Sequence, residues 1–195
     1  ILLEFYRGTR ARMKSSKEKV FAAFISIIQK NKTRYGGYVV HIGILMMFFG
    51  FVGKAFDKEA DVSLSPENPI TQLNEYQFKL KNYWKETPET NPKTRKNHHA
   101  YIASIEILKN NVFYTTLNPE KRIYIDQDSQ PHSEVALNTT LNKDLYLILG
   151  SLDLESGLAT LKIRINHLVT WVWLGTLVLI LGTLIALIPQ KKHDE

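Results

Sequence analysis

Six histidines and no cysteine bound the chemistry open to this 195-residue chain. One histidine stands apart. The runs 36–53 and 168–188 hold no Asp, Glu, Lys or Arg, and His41 is the one ionisable side chain in either, tyrosine hydroxyls aside. Runs of about 18–21 apolar residues match the ~30 Å hydrocarbon layer at ~1.5 Å per helical residue. An imidazole at membrane depth is costly unless partnered, so it reads by default as functional. Two uses fit. A neutral imidazole is a common axial ligand of b-type haem, and the iron would then cover its polar nitrogen. Alternatively, the ring bonds a Ser, a Thr or a carbonyl on a neighbouring helix. Gly37, one turn earlier on the same face, would leave room for a flat macrocycle.

The other histidines carry weaker signals. His98 and His99 read as an adjacent pair in a loop beside Arg95 and Lys96, and neighbours on an extended chain point apart. His132 follows Pro131 in a turn, His167 stands at the edge of the second run, and His193 lies in the tail. No Ser-His-Asp order, Gly-rich phosphate loop or paired-carboxylate arrangement is present, so the chain shows no catalytic constellation of its own. Without cysteine, thiol–disulfide chemistry, cysteine zinc sites and covalent attachment of c-type haem to this chain are all excluded. A domain of this size buries a core without disulfides.

The elements that must position His41 follow from charge and periodicity. The net charge of +6 is unevenly spread. Arg7, Arg10, Arg12, Lys14, Lys17, Lys19, Lys30, Lys32 and Arg34 precede the first run against Glu4 and Glu18, and Lys191 and Lys192 follow the second. The middle region is nearly neutral. Basic outer flanks place both termini in the cytoplasm and the middle outside, in the periplasm of a Gram-negative cell. The basic excess sits where it meets anionic lipid rather than on an aromatic-studded surface, which argues against nucleic acid.

Residues 1–6 read as the cut end of an earlier membrane helix, making the chain a piece of a larger protein. Residues 7–35 form a cytoplasmic basic segment, with Arg7 to Glu18 as a loop. Val20, Phe21, Phe24, Ile25, Ile27 and Ile28 then make one apolar helical stripe, an amphipathic helix lying on the inner surface or packed on the parent protein. The first transmembrane helix covers 36–53. Its Gly36, Gly43 and Gly50 recur every seven residues and form a seam for another helix. His41 lies about 160° around the helix from Gly43, beside Tyr38, Leu45 and Phe48. Residues 54–165 switch to period two: Tyr76 to Leu80, Tyr101 to Ile107, Val112 to Leu117, Arg122 to Ile125, Leu145 to Leu149 and Leu158 to Ile165. Turn clusters at Thr87 to Asn97, Asn110-Asn111, Asn118-Pro119 and Glu155 to Gly157 separate them, so a β sandwich or barrel is expected. The second transmembrane helix covers 166–188, with Trp171 and Trp173 as an outer aromatic belt and Gly175 and Gly182 continuing the seam, and 189–195 is a cytoplasmic tail.

Several blocks resemble one family. Glu4-Phe5-Tyr6-Arg7-Gly8 and Arg34-Tyr35-Gly36-Gly37-Tyr38-Val39-Val40-His41-Ile42-Gly43 are similar to the C-terminal part of the CcmF family, haem lyase subunits of the cytochrome c maturation system. The likeness continues at Ser133 to Leu137, at Lys143 to Gly150 and at Val169 to Gly175. In two places the second run departs from the family pattern. His167 stands where a proline is common, and Thr176 where a second glycine is common.

The resemblance implies that His41 ligates a transmembrane b-type haem together with a histidine from an earlier helix. It implies a tryptophan-rich haem-handling motif and external haem-receiving histidines upstream of this chain, which cannot be carried onto His98, His99, His132 or His167. The implied partners are the remaining helices of the parent, a haem chaperone, apocytochrome c, other maturation subunits and membrane lipid. In that reading haem reaches the outer face, two thioether bonds form to the apocytochrome's own cysteines, and the b haem keeps the incoming iron reduced. The expected fold is membrane α+β: two transmembrane helices flanking an extracytoplasmic β-rich domain, with a cytoplasmic amphipathic helix. A tethered scaffold module, or a transporter fragment with His41 on a proton or substrate path, would explain the same spans without haem.

Overall fold

The computed structural model describes residues 2–16, 19–20, 22, 25–26, 28, 31–89, 98–125 and 130–189. The chain divides into two compact units, a helical one from its two ends and a β unit over Gly53–His167.

The helical unit contains α1 (Leu2–Ser16), α2 (Lys32–Val52) and α3 (Val169–Leu187). α2 and α3 are each long and apolar enough to cross a membrane. Their contact is built on glycine. A Cβ placed on Gly43 would lie 2.6 Å from the Leu179 nitrogen and 2.7 Å from the Gly175 carbonyl oxygen. Gly36 meets Ala186 in the same way, Gly50 meets Val172, and Gly182 meets Val40. The seven-residue spacing therefore marks the line along which two helix backbones touch. Thr176 and Thr183 return their hydroxyls to the carbonyls of Val172 and Leu179, each at 2.9 Å, so neither brings an unsatisfied polar group to the surface.

Residues 7–16 are helix, not the loop expected from their charge. Arg, Lys, Ala and Met are good helix formers whatever their polarity, and Gly8 alone interrupts them. Of the apolar stripe after it, Phe21, Phe24 and Ile27 lie outside the described residues; Ile28 packs against Tyr35, while Val20 and Ile25 are exposed. The Thr87 to Asn97 turn cluster beyond Glu89, and Lys191, Lys192 and His193, also lie outside the described residues.

The β unit opens with a 3-10 turn, Gly53–Phe56, and contains β1 (Lys58–Leu64), β2 (Ile70–Leu73), β3 (Tyr76–Glu86), β4 (His98–Lys109), β5 (Val112–Leu117), β6 (Glu120–Tyr124), β7 (Pro131–Glu134), β8 (Ala136–Thr139), β9 (Lys143–Leu152) and β10 (Ala159–His167). One sheet runs β1-β10-β9-β8; the other runs β2-β3-β4-β6-β7, with β5 also on β4. β4 serves two partners on one edge: His98 to Ile102 pair with β6, and Ile105 to Lys109 pair with β5. Phe78, Ile105 and Ile107 from one sheet are buried in one core with Leu147, Leu149, Leu161 and Ile163 from the other. This is a sandwich, settled by side-chain alternation that turns one apolar face of each sheet inward.

Local features hold the sheets in register. Asn110 and Asn111 both adopt positive φ, 51° and 65°, and close the β4–β5 hairpin. Gly150 is skipped between the Leu149–Leu161 and Ser151–Thr160 pairs, and its carbonyl accepts from Lys121 of the opposite sheet. Such a bulge leaves a carbonyl free to bond across the layers. Ser133 Oγ donates to the Leu149 carbonyl at 3.1 Å, a second tie between the sheets.

Four strands, β1, β2, β7 and β8, were absent from the sequence reading. They are short or charged, and the apolar side of β1 is only Ala60, Val62 and Leu64. β7 begins at Pro131, which suits the first position of an edge strand.

Candidate functional site

His41 sits in the middle of α2, on a face opposite the glycine seam. Gly36, Gly43 and Gly50 are buried, while His41, Leu45 and Phe48 are exposed. The imidazole Nδ1 is 2.7 Å from the carbonyl oxygen of Gly37. A carbonyl can only accept, so Nδ1 carries the hydrogen, and in a neutral ring the lone pair is left on Nε2. This is the usual arrangement behind a metal-ligating histidine, where the second nitrogen's bond fixes both tautomer and ring orientation. A Cβ on Gly37 would meet nothing within 4 Å, so the space beside the ring is open.

One oriented imidazole with open space beside Gly37 would fit a group that a single neutral nitrogen can hold, such as a haem iron. A second ligand would have to come from elsewhere. Two turns before His41, Arg34 reaches Glu4 at 2.8 Å and donates Nε–H to the Tyr38 hydroxyl at 3.1 Å, tying α1 to the start of α2.

The histidines of the β unit lie in strands rather than in the loop and turn expected for them. His98 and His99 open β4, where successive side chains alternate faces, and His132 is the second residue of β7. That alternation separates His98 from His99 and joins His98 to different neighbours. The Tyr124 ring stands 5.1 Å from the His98 ring and 5.5 Å from that of His132. Beside them Arg122 bridges Glu120 at 2.6 Å and Glu134 at 2.9 Å. The hydrogen bond to Glu120, with the nearby carboxylate charges, raises the guanidinium pKa further above its ordinary value.

Sequence reasoning missed this cluster. The signal for it was the alternation His98, Ala100, Ile102, which extends β4 back through the presumed loop. Among the described residues no three His, Cys, Asp or Glu side chains are grouped to hold a metal ion.

His167 ends β10. Its backbone N–H donates to Asp57 Oδ1 at 2.8 Å, and its ring lies beside Phe56, with Nδ1 3.8 Å from the same carboxylate oxygen. Asp57 thus fastens the first residues of the β unit to its last. Among the described residues of the β unit Asp144 is the buried carboxylate, 3% exposed and accepting from the Thr140 N–H at 3.3 Å. Burial raises its pKa above the ordinary carboxyl value.

The class defined by these features is a β sandwich inserted between two apolar, glycine-seamed helices, one of which presents an oriented imidazole. The chain belongs to the CcmF C-terminal β-sandwich family, whose model matches residues 55–168. It is 27% identical over 164 residues to the cytochrome c-type biogenesis protein NrfE of Haemophilus influenzae, covering 84% of this chain and 24% of that protein. It is also 27% identical over 164 residues to the cytochrome c-type biogenesis protein CcmF of Pseudomonas aeruginosa, covering 82% and 23%. A solved cytochrome c haem lyase CcmF shares the fold at a TM-score of 0.66 and 15% identity, over 96% of this chain and 34% of that one. The chain therefore spans about a quarter of the length of the first two relatives.

Proposed function

We propose that this chain is the C-terminal part of a membrane haem lyase subunit for cytochrome c biogenesis, and that His41 supplies one axial ligand to a b-type haem. The observation that carries the reading is the His41 ring itself: Nδ1–H bonded back to Gly37, on an exposed face of α2 away from the glycine seam. When bound there, the group would supply a one-electron redox centre. His41 would hold its ring in one orientation through its bond to Gly37.

In this reading α2 and α3 span the inner membrane with both termini cytoplasmic, and the β sandwich stands outside. The nine Lys and Arg before the first run and Lys191-Lys192 after the second support that orientation. The sandwich then shares a compartment with the haem chaperone and the apocytochrome. The remaining helices of the parent, which supply the second ligand, and other maturation subunits complete the assembly.

The test is His41→Ala in the intact parent. The variant should insert normally, lose its bis-histidine Soret and α-band absorbance, and mature little holocytochrome c. Unchanged absorbance and maturation would overturn the assignment.

A further inference from the structure

Along the outward face of α2 the chemistry changes at His41. In an α-helix Arg34, seven residues earlier, stands about 20° around the axis from His41, and Leu45, Phe48 and Val52 stand within about 40° of it. All five side chains are exposed. From Ile42 to Val52 no side chain carries a charge or a hydroxyl. Toward the start of α2 come Tyr38 and then Arg34, about 10.5 Å along the axis from His41. The imidazole therefore divides one stripe into a cationic half and an apolar half.

Arg34 is held in place without being used up. Its Nη2 donates to Glu4 Oε2 at 2.8 Å, its Nε donates to the Tyr38 hydroxyl at 3.1 Å, and its guanidinium carbon lies 5.7 Å from the centre of the Tyr38 ring. These bonds use two of the three nitrogens that carry the five N–H donors of an arginine. The side chain is still 55% exposed. A guanidinium fixed against a tyrosine is pre-oriented, and its planar fork matches a carboxylate. Helical side chains lean toward the N-terminus, and the bond to Gly37 holds the His41 ring over the turn that precedes it. The ring thus leans toward the cationic half of the stripe.

A haem is divided in the same sense, with two carboxylates on one edge and hydrocarbon on the other. With its iron at His41, only one direction along α2 brings a carboxylate to a cation. Over Leu45 and Phe48 a carboxylate would lose water and find no partner on this helix, which is costly. We infer that Arg34, backed by Tyr38, is the cation that receives the carboxylate edge of a haem held at His41, while Leu45 and Phe48 take its apolar edge. The inference rests on the haem reading of His41 given above. Its consequence is that α2 alone sets which way round the macrocycle sits, with its carboxylates toward the start of the helix.

The test uses the intact parent, made without haem and loaded either with haem or with haem dimethyl ester, whose carboxylates are blocked. Release of each to excess apomyoglobin is timed by Soret absorbance. The unaltered protein should release the ester several-fold faster than haem. Arg34→Gln should release the two at similar rates and keep its low-spin α band, because the axial ligand is untouched. Glu4→Gln, which frees the guanidinium from α1 and leaves the cation, should discriminate at least as well as the unaltered protein. Equal release of haem and ester by the unaltered protein would overturn the inference, and that comparison needs no variant to fold. Full discrimination by Arg34→Gln would overturn it too. So would a Glu4→Gln that discriminates no better than Arg34→Gln, since the effect would then belong to the tie between α1 and α2. Each of these results leaves the His41 reading intact as long as His41→Ala abolishes the α band. A band that survives His41→Ala would overturn that reading and the inference with it.

Discussion

The helical unit and the β sandwich bury opposite kinds of residue. In the sandwich the side chains hidden from solvent are the largest available, Phe78, Ile105, Leu147 and Ile163 among them. In α2 and α3 the buried positions are mostly glycine, and Leu45, Phe48, Phe51, Leu177, Leu181 and Leu184 face outward. A water-soluble pair of helices would be built the other way, with an apolar stripe turned inward. Where the surroundings are themselves apolar, bulky side chains gain nothing by burial, and small residues that let backbones touch become the adhesive. On the membrane reading proposed above, the two units are each stable in a different solvent, and one chain passes from one regime to the other at Val52/Gly53 and again at His167/Leu168. The same contrast explains His41. It shares the outward face with the apolar Leu45 and Phe48, and its bond to Gly37 leaves a single nitrogen to be covered by something else.

The sharpest way to break this comparison is to give the helix seam a side chain. Gly43→Leu places carbon where the Leu179 and Gly175 backbones already sit, and backbone cannot step aside as a flexible side chain can. Overpacking costs typically ~1–3 kcal/mol, and a seam formed by two backbones should lie at or above the top of that range. Titration of the reconstituted chain with a denaturing detergent, followed by helical circular dichroism, should show an earlier loss of helix pairing. The β signal should be unmoved. A sandwich that unfolds together with the helices would show that the two units are not energetically separate.

A matched pair of truncations sharpens the same point. Leu147 is fully buried between the sheets, and Leu147→Ala should destabilise the sandwich by about 3 kcal/mol, the transfer and cavity cost of a core leucine. Leu177 is exposed on α3, and Leu177→Ala in a lipid environment should change stability by less than ~0.5 kcal/mol. Chemical denaturation of both variants in vesicles measures the ratio. Equal effects would mean that α3 is buried by protein on its outward face and is not bathed in lipid.

How much of this was legible beforehand depended on which physical signal each part used. The glycine seam was readable because three glycines at seven-residue intervals have no other structural reason to recur, and their close approach to α3 follows from that spacing. The inner strands were readable because a buried sheet face writes apolar alternation directly into the chain, as in Tyr76, Phe78 and Leu80. Edge strands carry a weaker mark. β7, Pro131–Glu134, is set by pairing with β6, and nothing apolar in its own four residues announces a strand. α1 was misread because charge was taken for irregularity, although helix propensity is indifferent to it. Of the candidate site, the face on which His41 stands, away from the glycine seam, was readable from position alone. The bond that selects the tautomer was not, since it needs the side-chain rotamer as well as the helix.

A small expected effect concerns a polar fastening between the two sheets of the sandwich. Glu75 accepts from Lys143 across the two sheets at 2.7 Å and lies 3.7 Å from Lys109. The hydrogen bond from Lys143 is the main cause holding its carboxyl below the ordinary glutamate value, with the lysine charges adding to it against a partial desolvation. A carboxyl that is more acidic when folded binds its proton more weakly in the native state than in the unfolded one. Its contribution is therefore complete above the unfolded glutamate range, near pH ~5 and higher, and is lost as the pH falls through the folded value. Glu75→Gln should lower the sandwich's stability at neutral pH by no more than about 1 kcal/mol, because partly exposed ion pairs are screened by water and salt. The variant and the parent should converge in acid, where the parent's glutamate is itself neutral. Urea unfolding of the two proteins from pH 7 down to pH 3, followed by β circular dichroism, tests the sign as well as the size. A gap that widened on acidification would show that Glu75 is strained by Lys143 rather than fastened by it, and the two sheets would then owe their closure at this end to the apolar core alone.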